Sequence, residues 1–112
     1  MERDLASLAD IHRSACEIMA MRTRFTLRDV EEDDVLTSAL LHKAILIGEA
    51  ANRVSDAGQA RWPLPWREMT GMRNVLVHDY DAVDLGIVWQ MAEQDLPALV
   101  AQIEAILPEL AG

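Results

Sequence analysis

Between residues 35 and 56, apolar side chains recur at helical spacing on two faces at once. Leu36, Leu40, Ala44, Ile47, Ala51 and Val54 form one stripe, and Leu41, Ile45 and Gly48 add a second. Steps of three and four residues gather side chains on one side of an α-helix, which turns once in about 3.6 residues. A helix apolar over so much of its girth is either central in a bundle or buries a second face against another subunit. Asp33 or Asp34 caps its start.

The rest of the chain has to supply partners for that helix, and it reads as helical too. Leu5, Leu8, His12, Ala15 and Met19 place a first helix at roughly 3–23. In "TLRD" Thr26 stands three residues before Asp29, a small capping signal for a short extra turn of helix. "DAGQARWPLP" at 56–65 breaks the chain, since Gly58, Pro63 and Pro65 forbid a continuous helix. Pro65 suits the first position of a third helix, which runs from about 66 into "RNVLVHDY" at 73–80. "DYDAVD" at 79–84 is turn-like, and Asp84 caps a last helix at about 85–107. Leu85, Val88, Ala92, Leu96, Leu99, Ile103 and Ile106 form its stripe, and Pro97 kinks it near the middle. No strand pattern, repeat or low-complexity segment interrupts this. The expected fold is all-α: a bundle of four main helices plus a short extra helix, in one domain spanning 1–112.

Charge narrows the function. The net charge is −9, which argues against nonspecific attraction to nucleic acid. It is unevenly spread. Residues 53–78 carry Arg53, Arg61, Arg67 and Arg73 against Asp56 and Glu68, while residues 79–112 carry seven acids and no base. "RNVLVHDY" closes the one region with a positive balance. No apolar run approaches the ~18–20 residues of a membrane span, and no secretory leader is read. Cys16 is the lone cysteine, so no internal disulfide is expected and a reducing cytoplasm is the expected location.

On a continuous helix Asn74 and His78 share a face, and Arg73 nearly aligns with Tyr80, seven residues on. Arg73 and His78, five apart, are separated by ~140° around the axis. Three things can close that gap: the arginine's length, a helix ending near His78, or a second copy of the chain pooling its residues about a two-fold axis. Arginine, histidine and tyrosine without an acid triad or metal cluster suit metal-independent RNA cleavage. The 2′-hydroxyl attacks the adjacent phosphate, so the site needs a proton acceptor and a cation for the growing negative charge. Histidine titrates near neutrality and can move the proton. Arginine stays charged and forks onto phosphate oxygens. Asn74 can donate to a phosphate or orient the imidazole. Spacing alone does not establish this site.

"GMRNVLVHDY" resembles the Arg-x4-His-x-Tyr signature of HepT-like toxins of the HEPN superfamily. "ILIGEAANRV" at 45–54, "PWREMTGMRN" at 65–74 and "VDLGIVWQMAEQDLPAL" at 83–99 resemble that family in order and spacing. The resemblance implies a HEPN-like helical bundle acting as a homodimer with both motif copies facing one cleft. It implies the toxin of a type VII-like toxin–antitoxin pair, an endoribonuclease needing neither metal nor cofactor. It implies a cognate nucleotidyltransferase antitoxin that adenylylates a tyrosine. Residue by residue, Arg73 and His78 carry over as catalytic, Asn74 as supporting and Tyr80 as the modified tyrosine. Two rivals stand beside this reading: a noncatalytic nucleotide- or substrate-binding companion of a nucleotidyltransferase, and a plain helical dimerisation module.

The other polar residues invite blander readings. His12 is expected as a satisfied core histidine, His42 as a surface one and Cys16 as a small core residue. Scattered histidines and one cysteine make no zinc pattern. Asp79, Asp81 and Asp84 read as a solvated turn and cap rather than a calcium loop. The run Glu31–Asp34 reads as a helix start. Gly48 reads as permitting close helix packing. Glu49 is either near the cleft or a solvated or arginine-paired carboxylate, and Arg73 can also pair with an acid of the last helix.

Overall fold

The computed structural model describes residues 2–112, and among them every regular element is helical. Helix α1 (Glu2–Arg24) is followed by the short α2 (Leu27–Glu31) and the long α3 (Asp34–Arg53). Then come α4 (Asp56–Arg61), α5 (Trp66–His78), α6 (Leu85–Gln94) and α7 (Leu96–Ile106). A 3-10 turn at Tyr80–Ala82 links α5 to α6. No helix among the described residues is long and apolar enough to cross a membrane.

Side-chain caps set the starts of most of these helices. Thr26 Oγ1 accepts from Asp29 N at 3.1 Å while the Asp29 carboxylate accepts from Thr26 N at 2.9 Å, a reciprocal capping box. Asp33 rather than Asp34 caps α3, accepting from Val35 N and Leu36 N. Asp84 caps α6 through Gly86 N.

As the double stripe requires, α3 lies at the centre, between α1 and α5. Leu40, Ala44, Ile47, Ala50 and Ala51 are fully buried there. The line buried on α1 is rotated from the expected one. Leu8, Ile11, Ala15 and Ile18 are fully buried, whereas Leu5, His12 and Met19 lie at its margin. Polar Asp4, Ser7 and Ser14 share the buried face and masked its direction in the sequence.

Three expectations are corrected. The 56–65 break contains a helix, α4, started by Ser55, whose Oγ accepts from Gly58 N at 3.0 Å. Gly58 is buried within it, and an added Cβ would lie 2.7 Å from Asp4 Oδ2. Its end is held by the Trp66 indole, which donates to the carbonyls of Gln59 and Trp62. Pro65 precedes α5 instead of opening it. The last helix is two helices rather than one kinked rod. The chain turns at Asp95, and Pro97 sits in the first turn of α7, where its missing N–H costs nothing.

Asp4 ties the start of α1 to the α3–α4 junction. Its carboxylate accepts from Ser55 N at 2.9 Å and Ser55 Oγ at 2.6 Å. The Ser55 hydroxyl, and then its backbone N–H, hold the carboxyl below its ordinary range against the opposing effect of burial. A carboxyl lowered by folding stabilises the protein above its unfolded pKa, and that contribution is lost as pH falls through the folded value. Thermal unfolding below about pH 4 should therefore fall more steeply for the wild type than for Asp4→Asn. Parallel acid limbs would refute the link.

Candidate active site

The close approach of α5 to α3 begins at Gly48. A Cβ added there would overlap Arg73 Cβ outright and lie 2.8 Å from the Met69 carbonyl oxygen. The missing side chain lets Arg73 lie across α3, beside the next residue of that helix. Arg73 Nε donates to Glu49 Oε1 at 3.1 Å, and Arg73 Nη1 donates to Asn74 Oδ1 at 3.0 Å. The guanidinium is thus held at two points and stays 28% exposed. Two anchored nitrogens fix the plane of the fork while leaving donors turned outward, a suitable state for binding an anionic oxygen.

Asn74 therefore orients the arginine, where the sequence suggested a contact with phosphate or imidazole. Glu49 takes the paired role, and the acid that meets Arg73 comes from α3 instead of the last helix. His78 is the final residue of α5, is exposed, and takes part in no ion pair or side-chain hydrogen bond among the described residues. Both Arg73 and His78 lie within α5, so the angular gap between them persists in a single chain and the helix ends only after His78.

Tyr80 departs from its expected alignment with Arg73, because α5 stops at His78 and Tyr80 opens the 3-10 turn. It remains 40% exposed. It borders a hollow of about 280 Å³ with Asp34, Ser38 and Leu41.

Arg67 was not singled out in the sequence, yet it belongs to the same surface. It precedes His78 by eleven residues, three turns of helix plus about 20°. Arg67, Gly71, Asn74 and His78 form one exposed stripe along α5. Beyond its own turn of helix, nothing lies within 4 Å of where a Cβ on Gly71 would sit, so the stripe is unobstructed at its middle. Of the other arginines in the positive region, Arg53 is spent on Asp10 at 3.3 Å and Arg61 lies over the Trp62 ring. Arg67 joins no ion pair among the described residues, Arg73 pairs with Glu49, and both share α5 with His78.

A second polar cluster is structural. His12 Nε2 meets Glu104 Oε2 at 2.8 Å, joining α1 to α7 as expected of a satisfied histidine. Cys16 lies 3.8–3.9 Å from both ring nitrogens. Burial, then Glu104 and Glu17, push its thiol pKa up, the reverse of what a nucleophile needs. His42 is exposed. Among the described residues no three His, Cys, Asp or Glu side chains are grouped to hold a metal ion.

Comparison with known proteins matches residues 11–106 to the family described as "Ribonuclease HepT-like". "Putative RNase MJ1380" of Methanocaldococcus jannaschii is 27% identical over 94% of this chain and 98% of its own length. "Putative RNase TTE0752" of Caldanaerobacter subterraneus subsp. tengcongensis is 33% identical over 82% of this chain and 84% of its own. "Probable ribonuclease HepT" of Thermococcus cleftensis is 33% identical over 61% of this chain and 63% of its own. No solved structure matches the chain significantly.

Proposed function

The chain belongs to the HepT-like ribonuclease family, and on that premise we propose that it is a toxin that cleaves RNA at Arg73 and His78 without a metal. The observation that carries the reading is that one helix, α5, bears both the Arg73 fork anchored by Glu49 and Asn74 and, as its last residue, an unpaired, exposed His78. In this mechanism the 2′-hydroxyl loses its proton as its oxygen bonds to phosphorus, and the bond to the 5′-oxygen breaks. The products are a cyclic 2′,3′-phosphate and a 5′-hydroxyl, with no water consumed. Arg73 stabilises the charge that grows on the phosphoryl oxygens. An imidazole at His78 takes the 2′-hydroxyl proton or protonates the leaving oxygen.

One imidazole cannot stand on both sides of the phosphorus at once, so a homodimer that brings two motifs to one cleft supplies both roles. Leu46 and Val77 stay 38% and 43% exposed on α3 and α5, apolar surface suited to that contact. Pooling two copies of Arg67 and Arg73 also offsets the −9 charge locally, where phosphate binds.

The reading includes restraint by a nucleotidyltransferase antitoxin, and the exposure of Tyr80 supports it. Transfer of AMP from ATP to the exposed Tyr80 hydroxyl, with release of pyrophosphate, puts an anionic phosphodiester two residues beyond His78. That charge and bulk would compete with RNA for the arginines.

Purified without a partner and incubated with cellular RNA in EDTA, the protein should yield fragments with cyclic phosphate ends. Adenylylated protein should yield about a hundredfold fewer, the order of loss seen when one charge-stabilising donor is removed. Intact RNA would sink the enzyme reading, and if Tyr80 were still modified it would favour the companion-subunit alternative.

A further inference from the structure

The four-sided bundle is not closed. α5 packs tightly on α3 but makes no comparably close contact with α6 or α7. What remains is a groove of about 1080 Å³, on a different side of α5 from the Arg67–His78 stripe. Its floor is true core, with Met69, Leu76, Val88 and Leu96 at most 4% exposed. Its walls carry Val75 and Ile87, which are 56% and 66% exposed. Large apolar side chains left that open on two facing helices mark an interaction surface.

Two features say what fits there. Three of the six methionines, Met69, Met72 and Met91, line the groove. Methionine is flexible and polarisable, and moulds itself to an incoming apolar face. The charged lining residues are all acidic: Glu68, Asp79, Asp84 and Asp95, with no lysine, arginine or histidine. Asp84 is engaged in capping α6. The other three belong to no ion pair among the described residues. An acidic rim repels RNA, so the groove is not an extension of the candidate active site. Its volume sits at the upper limit of small-molecule pockets, and beyond the four acids its only polar side chains are Gln94 and Gln102.

We propose that this groove receives an amphipathic helix of another protein, apolar on one face and bearing lysine or arginine along its edges. Such a helix completes the missing side of the bundle, covers Val75 and Ile87, and pairs its cations with the acidic rim. A second copy of this chain is the poorer occupant, because it carries nineteen acids against ten bases. The inference does not rest on the ribonuclease reading.

The probe is a fluorescent Leu/Lys amphipathic helical peptide titrated into the full chain. A Leu/Glu peptide with the same apolar face serves as control. Saturable binding of the lysine peptide alone is expected, weakened at least about tenfold by Ile87→Asp or Val75→Asp. Both substitutions add negative charge, so general attraction of a cation to an acidic protein would strengthen binding instead. Unchanged or tighter binding by both variants therefore overturns the proposal, as does equal binding of the Leu/Glu peptide. A dimer that Ile87→Asp converts to monomer in sedimentation also overturns it, since a second copy would then fill the groove. Ile87→Ser serves as the milder variant if circular dichroism shows that the aspartate disturbs α6.

Discussion

His78→Ala is expected to lower RNA cleavage by about 10²–10⁴-fold, the span a positioned acid or base contributes, with no change in thermal midpoint. The fold should not notice the substitution. His78 is exposed, ends α5, and joins no ion pair or side-chain hydrogen bond among the described residues. Arg73→Lys should be nearly as damaging despite keeping the charge. Lysine has one nitrogen head, so it cannot donate to Glu49 and Asn74 together and still face a phosphate. A loss of about 10²-fold matches removal of one well-placed charge-stabilising donor. Cleavage products separated on a denaturing gel, beside matched melting curves, check both. Retention of activity within about threefold by His78→Ala, far below the general acid–base range, would remove the imidazole from the mechanism.

The second large effect concerns a residue with no chemistry of its own. Replacing glycine by alanine inside a helix normally stabilises by roughly 0.5–1 kcal/mol, because glycine loses more backbone freedom on folding. At Gly48 the sign should reverse. The new methyl would occupy the place of Arg73 Cβ and press on the Met69 backbone, which cannot swing aside as a side-chain tip can. Separating α3 from α5 should cost about 1–3 kcal/mol, several degrees of thermal midpoint. It should also shift the Arg73 fork, and a misplacement of about 1 Å can cost 10²-fold in rate. Gly71→Ala is the internal control. It makes the same change on α5 where, beyond its own turn of helix, nothing lies within 4 Å of the added carbon, so it should stabilise slightly. Equal effects of the two substitutions on melting would contradict this account of Gly48.

Much of this is legible in the amino-acid sequence. The double stripe of 35–56 required a central helix, and α3 is one. Capping residues located the starts of α2, α3 and α6, because a carboxylate or hydroxyl at a helix start acts over two or three residues of chain. Elsewhere a short local signal is overruled or diluted by contacts distant in sequence. Gly58 and two prolines hid α4, although Ser55 was there to start it. Buried Asp4, Ser7 and Ser14 blur the stripe of α1, and the partner that lets Asp4 be buried, Ser55, lies 51 residues along the chain. Tyr80 was aligned with Arg73 on a helix that in fact stops at His78.

By itself, then, the amino-acid order determined the helical class, the centrality of α3 and the short segment that carries Arg73, Asn74, His78 and Tyr80. These are consequences of periodicity and of neighbours within a turn or two, and they travel with the local chain. Only the tertiary structure decided that Glu49, 24 residues before Arg73, holds its guanidinium, and that Gly48 makes room for it. Only the packing left α5 apart from α6 and α7, so that Met69, Met72, Met91 and Val75, on which the sequence reading placed no weight, line an open, acid-rimmed groove. Both depend on where one helix axis lies against another. That position is a compromise among many side chains distant in sequence, and no single stretch encodes it.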